Sequence, residues 1–373
     1  MFPRDGIDGA LATRTSISLV KAAEGRLCYR GYSIGDLARD TRFEEVIYLL
    51  WFGDLPTRKA LASFSAQLRA ERNPPRAALD IIRSAGADCD PMDSLSIAVL
   101  TMAASDPDRG DNAAAANLRK GLRVITAMPA LTAYHSRMRR KLDPIAPDPE
   151  LGHAENLLYM IVGERPDSAK INAINAVMTL QAEHGIDPSA FAARVTASTH
   201  ADLHAALTSA IGTLKGPLDG GAIRAVLEML LAIANKSKAR EVIDNLLRAK
   251  KKIPGFGHRT YKDVDPRAIE FKNICERLST AAGDRHAFEL AIHVQEIVHK
   301  RTGLSPNAYF YCAPACQMLG LAAEDFAPIA ACAHAAGWIA HVAEQHSDNR
   351  PIRLHEEYIG LLARAFVPLD ERV

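Results

Sequence analysis

Apolar positions recur at helical spacing over most of the chain. Ile34, Leu37 and Ala38, then Val46, Ile47, Leu49 and Leu50, fall at three- and four-residue intervals, and Gly53 with Pro56 closes the run. Further apolar runs cover residues 95–102, 154–162, 171–180, 191–214, 222–234, 239–249, 287–299 and 326–343. Each is bounded by Gly, Pro, Asp or Asn and predicts helix. The start differs. Residues 14–20 (RTSISLV) and 26–32 (RLCYRGY) alternate or carry β-branched and aromatic side chains around Glu24-Gly25, which predicts a small hairpin. The expected class is mainly α. Proline-rich stretches at 72–75 and 144–149 read as connectors too short to be interdomain tethers.

Composition narrows the function classes. A chain of 373 residues, 48% of them hydrophobic and 24% charged, can bury a large core as one domain or two. Lys+Arg 45 against Asp+Glu 44 leaves a net charge of +1, so no global field draws the chain to nucleic acid or to a membrane. Two basic clusters stand out, at 137–141 and 248–252. The first reads as a solvated helix face. Six cysteines are sparse for this length, and MFPRDGIDGA at the start lacks the apolar core of a secretory leader, so reduced thiols in the cytoplasm are expected. Cys312 and Cys316 lack partners at metal-ligand spacing and read as core residues, with no metal site expected. The Ala-rich stretch 327–343, which contains His334 and His341, reads as a buried helix in place of a membrane span.

Residues 208–262 carry the first chemical signal. Two Gly-rich turns, KGPLDGG at 215–221 and IPGFGH at 253–258, flank a helical pair, and glycines at such turns let main-chain N–H groups approach a ligand closely.

These residues resemble a known family. Residues 25–38 approximate GLRxYRGYxIxDLA, 214–222 LKGPLHGGA, 255–268 GFGHRxYKxxDPRA, 306–314 PNxDFYxxP, 337–341 GWIAH and 352–355 the closing IRPR. In this order and over nearly the whole length, they resemble a citrate synthase or 2-methylcitrate synthase. The resemblance implies a two-domain, mainly helical homodimer. Residues 1–219 and 315–373 would form the large domain and 220–314 a small domain carrying the CoA and catalytic loops. Acyl-CoA would enter as co-substrate with a 2-oxo acid, with no resident cofactor.

Within the family, a carboxylate removes a proton from the acyl α-carbon, a His on the GPLHGG turn binds the enol oxygen, and the His of GFGHR polarises the keto carbonyl. His258 keeps the last position. Asp219 stands for the turn His and Tyr309 for the Asp of PNxDFY, so both other catalytic positions differ. Among substrate ligands, the resemblance carries over His184, Arg267 and Arg353, the last expected to reach a partner's site. His334 replaces an Arg and loses its fork of donors. Gly185 and Asp187 replace a Glu and an Asn. CoA would be met by Lys252, Pro254, Gly255, Phe256, Gly257, Arg259 and Asn307. Tyr309 cannot act as a simple base, because ionising a Tyr at pH 7 costs about 4 kcal/mol. The roles can instead be exchanged, with Asp219 as base and Tyr309 as donor to the enolate oxygen. The expected function is condensation of acetyl- or propionyl-CoA with a 2-oxo acid. The alternative is an inactive or repurposed relative that binds CoA or a carboxylic acid in a sensing role.

Overall fold

A computed structural model of the protein describes residues 14–355 and 358–372. The chain opens with a three-stranded antiparallel sheet, β1 (Ser18–Lys21), β2 (Arg26–Tyr29) and β3 (Tyr32–Ser33), with Ser18 opposite Tyr29 and Cys28 opposite Ser33. The expected hairpin is therefore present with a third short strand. Its first turn is longer than a two-residue connection, because Ala22–Glu24 forms a 3-10 turn before Gly25 at φ +56°.

Helices follow: α1 (Ile34–Asp40), α2 (Phe43–Phe52), α3 (Arg58–Ala70), α4 (Arg76–Ala85), α5 (Pro91–Met102), α6 (Ala114–Arg139), α7 (His153–Val162) and α8 (Ser168–Leu180). The second half adds α9 (Pro188–Ser198), α10 (Leu203–Leu214), α11 (Ala222–Ile233), α12 (Lys236–Arg248), α13 (Pro266–Ala282), α14 (His286–Thr302), α15 (Ala308–Met318) and α16 (Phe326–Ser347). Many of these helices begin at an acidic cap. Asp90, Asp187 and Asp265 each accept backbone N–H bonds ahead of a proline at the first helical position, and Asp167 and Asp202 cap without one.

The structure corrects three readings. The run at 191–214 is two helices, α9 and α10, because the chain breaks at residues 199–202, where His200 takes φ +64° and Asp202 starts a new cap. The run at 34–50 is likewise split, since Thr41 and Arg42 are extended between α1 and α2. The basic cluster at 137–141 is not a solvated face. Arg137 is buried and donates to the Asp143 and Ile161 carbonyls, and Arg140 Nη2 donates to the same Ile161 carbonyl at 2.6 Å. Both guanidiniums thus meet the Ile161 carbonyl at the end of α7, which lacks a helical partner, and Arg137 also ties down the Asp143 carbonyl in the connector before α7.

The apolar helix α16 is the hub, packing against α2, α5, α6, α8, α9 and α10. It is long and apolar enough to cross a membrane by composition, yet most of its surface is covered by other helices of the protein. Gly337 shows how close the packing is. Its N–H donates to the Ala182 carbonyl at 3.1 Å, and a Cβ here would fall on the Ala182 carbonyl and the Glu183 carboxylate. This contact holds α16 against the segment after α8 and so positions the site. Cys312 and Cys316 are both buried in α15, as expected of core thiols.

Candidate active site

Asp265 organises the centre of the site. As the cap of α13 it accepts from Arg267 N at 3.0 Å, and its two oxygens take Arg267 Nε at 3.1 Å and Nη2 at 2.9 Å. Oδ2 also accepts from Ala308 N at 3.0 Å, so one buried carboxylate ties the starts of α13 and α15 together. Burial alone would raise this acid, but the Arg267 guanidinium holds it down at about 2. Sequence reasoning passed over Asp265, although an Asp-Pro pair ahead of an apolar run is a recognisable helix start.

His258 sits beside this pair. Its Nδ1 accepts from Thr260 N at 3.0 Å and Tyr261 N at 3.2 Å, which leaves the neutral ring's proton on Nε2, 3.4 Å from Arg267 Nη2. Burial and the Arg267 charge push its pKa down, so at neutral pH it is an uncharged Nε2–H donor. His184 packs edge-on to His258 with ring centroids 5.7 Å apart, and its Nε2 meets the Tyr261 hydroxyl at 3.2 Å. Burial and Arg267 lower its pKa as well. Glu183 next to it is buried and accepts from Ser18 Oγ at 2.7 Å, Gly185 N at 2.6 Å and His341 Nε2 at 3.1 Å. His341 is in turn held by Arg194, so a polar chain supports the floor of the site.

Asp219 and Tyr309, far apart in sequence, meet. The Tyr309 hydroxyl donates to Asp219 Oδ1 at 3.0 Å. Asp219 rides the 215–221 turn, where its N–H donates to the Gly216 carbonyl at 3.0 Å. Tyr309 is set by Asn307, whose Oδ1 accepts from Tyr309 N at 3.0 Å as the cap of α15. Burial raises the Asp219 pKa, offset in part by the Tyr309 hydrogen bond and the Arg267 charge. Tyr309 is also pushed up, by burial and then by Asp219, and stays protonated. Asp187 lies close enough for Asp219 and Glu183 to add to the burial that pushes it up to about 7.

The arrangement brings an acid, a neutral phenol, neutral imidazoles and one paired guanidinium into one region at the meeting of α8, α13, α15 and α16. A family model described as "Citrate synthase, C-terminal domain" matches residues 6–355. The chain belongs to the citrate synthase family. It is 40% identical to the citrate synthase of Haloferax volcanii over 98% of both chains, and 40% identical to a 2-methylcitrate synthase of Mycobacterium tuberculosis over 96% of this chain and 90% of that one. A ternary complex of carboxymethyl coenzyme A and oxaloacetate with citrate synthase from Thermoplasma acidophilum superposes with a TM-score of 0.92. It is 29% identical and covers 98% of each chain. The mainly helical citrate synthase fold, with its small N-terminal sheet, is thereby established.

The remaining expected residues fall in two groups. His334 is buried on α16, stacked on Trp338 with centroids 5.6 Å apart, and burial followed by the Arg267 charge pushes its pKa down to about 4. Arg353 lies apart, exposed on the segment after α16. The loop 253–258 is bound to the segment before α15. Gly257 N donates to the Ser305 carbonyl at 2.9 Å, Asn307 N to the Gly255 carbonyl at 2.9 Å, and Asn307 Nδ2 to the Gly257 carbonyl at 3.0 Å. Gly255 takes φ +81°, and an added Cβ would lie 2.9 Å from the Phe310 ring, so only glycine fits. Asn307 is thus engaged on both side-chain atoms within the protein. Lys252 and Arg259 are exposed at the two ends of the loop, Pro254 is partly exposed, and Phe256 is buried against Phe310 with centroids 4.5 Å apart. A hollow of about 170 Å³ opens beside this loop, lined by His258, Lys262, Asp265 and Leu304 among others.

Proposed function

We propose that the protein condenses an acyl-CoA, acetyl- or propionyl-CoA, with a 2-oxo acid. The relatives support the class of reaction, and the 3.0 Å contact between Tyr309 and Asp219 carries the assignment of roles. Asp219 takes a proton from the acyl α-carbon. Its raised pKa brings it nearer the operating pH and makes the transfer less uphill than for an exposed Asp. Tyr309 turns its O–H from Asp219 to the thioester oxygen as charge develops there. The enolate carbon attacks the keto carbon, polarised by His258 Nε2–H, and the new alkoxide takes that proton. His258 regains one from Asp219, which holds the proton it removed from the α-carbon, so both groups return to their starting states. Water then cleaves the thioester, releasing CoA thiol. Lys252 and Arg259 would meet CoA phosphates and the 253–257 backbone its adenine end. Residues 220–314 would move against the rest of the chain to close the cleft and exclude water.

Free-thiol release tests this reading. Acetyl-CoA and propionyl-CoA are offered with a panel of 2-oxo acids, and release that requires both substrates is expected for at least one pair. A folded protein that releases no thiol with any pair overturns it.

The proposed assembly is a homodimer. After α16 the chain exposes Leu354, Tyr358, Ile359, Leu361, Leu362 and Phe366, an apolar tail that a second copy would cover. The full chain should sediment as a dimer. Truncation after Arg353 should shift it towards monomer, whereas a monomeric full-length chain would reject the assignment.

A further inference from the structure

The first turn of α15 is fastened from two sides. Ala308 N donates to Asp265 Oδ2 at 3.0 Å and Tyr309 N to Asn307 Oδ1 at 3.0 Å, so two side chains satisfy N–H groups that a helix start leaves without helical partners. Asp265 belongs to the wall that carries Arg267 and His258. Asn307 belongs to the opposite wall. Its N–H donates to the Gly255 carbonyl at 2.9 Å and its Nδ2 to the Gly257 carbonyl at 3.0 Å. Gly257 N in turn donates to the Ser305 carbonyl, and the two segments pair antiparallel with Phe256 opposite Pro306.

An apolar contact runs beside this polar one. The Phe256 ring lies 4.5 Å from that of Phe310, and the Gly255 backbone comes so close that an added Cβ would meet the same ring at 2.9 Å. Phe310 is fully buried and follows Tyr309 directly, so a shift of the 253–257 loop presses on the first turn of α15. That turn carries the Tyr309 hydroxyl, 3.0 Å from Asp219 Oδ1. The residue type at 307 fits this double duty. Ser and Asp cap a helix as well as Asn does, but the amide adds the donor that reaches the Gly257 carbonyl.

Building on the roles proposed above for the 253–257 loop and for Tyr309, we propose that Asn307 is a positioning residue for enolisation. It ties the loop that meets CoA to the start of α15, so that CoA seated on the loop fixes the Tyr309 hydroxyl against the thioester oxygen. A nucleotide end bound to the loop backbone favours the paired arrangement of the loop over any other. Its binding energy then acts on the reacting acyl end and raises kcat, beyond tightening the complex. Asp265 fastens the neighbouring N–H from the 2-oxo acid side, and the first turn of α15 joins the two halves of the site.

The test compares acetyl-CoA with acetyl-pantetheine, which lacks the nucleotide end, in the wild type, Asn307→Ser and Asn307→Asp at saturating 2-oxo acid. Both variants keep an oxygen to cap α15, and using two guards against one failing to fold. Wild-type kcat for acetyl-CoA should exceed that for acetyl-pantetheine by about tenfold or more, and either folded variant should lose most of this advantage. A raised KM for acetyl-CoA with the kcat advantage intact would make Asn307 a plain CoA ligand, and an equal fall in both kcat values would make it a structural cap. Either result overturns the proposal, as does a wild type without the advantage. If no pair releases thiol, the condensing reaction itself fails, and amide hydrogen exchange then decides this inference alone. Adding CoA should slow exchange at Tyr309 N–H by about tenfold or more in the wild type and not in the variants. An unchanged wild-type rate, or a variant that responds as the wild type does, overturns it.

Discussion

Asp219→Asn is expected to lower kcat for thiol release by about 10²- to 10⁴-fold, the range lost when a positioned general base is removed. The amide keeps the size of the side chain and can still accept the Tyr309 hydrogen bond through its oxygen, so the turn at 215–221 should hold. CoA affinity, read from the thermal stabilisation that CoA confers, should stay as in the wild type, because Asp219 acts on the acyl α-carbon and not on the nucleotide. Tyr309→Phe removes only the donor to the developing enolate oxygen and should cost about 10²- to 10³-fold in kcat with little change in KM. Uptake of solvent deuterium at the α-carbon of acetyl-CoA separates the two roles. It should vanish in Asp219→Asn and persist, slowed, in Tyr309→Phe. Wild-type turnover in Asp219→Asn would remove the carboxylate from the mechanism and with it the exchange of roles.

The second large effect concerns stability. Arg267→Leu should destabilise the fold by about 3–5 kcal/mol, because it leaves the Asp265 carboxylate buried without its counterion while Asp265 still links α13 to α15. Urea unfolding at pH 7 measures this, and a loss below about 1 kcal/mol would show that the pair is solvated or replaceable. The pH dependence has a definite sign. Asp265 is depressed from 3.8 to about 2 in the folded protein, so its contribution is complete above the unfolded value and is lost as pH falls through that value towards 2. Arg267→Leu should flatten this part of the acid-unfolding curve. Adding Asp265→Asn should recover part of the loss, since the uncompensated charge is then gone.

Much of the fold was legible in local pattern. The eight apolar runs correspond to helices, and Gly53 and Pro56 end α2 where expected, because helical burial repeats at a spacing visible along the chain. Where the readings erred, the deciding groups were short or distant. A backbone break at 199–202 needs only one left-handed residue and one cap, and apolar periodicity on both sides conceals it. The cluster at 137–141 looked solvated because its partners are carbonyls, Asp143 O and Ile161 O, and carbonyls carry no sequence identity.

The candidate site divides in the same way. Sequence by itself determined which residue types are available to the site: Asp219, Tyr309, His334 and His258. It also determined the family, through motifs ordered along almost the whole chain. Only the tertiary structure decided that Asp219 and Tyr309 touch across 90 residues, that Asp265 neutralises Arg267, and that burial keeps three histidines uncharged. The physical reason is range. Periodicity and capping act within a few residues and are written in consecutive positions, whereas desolvation and charge pairing depend on which distant segments share a region of low dielectric, which only the packed helices define.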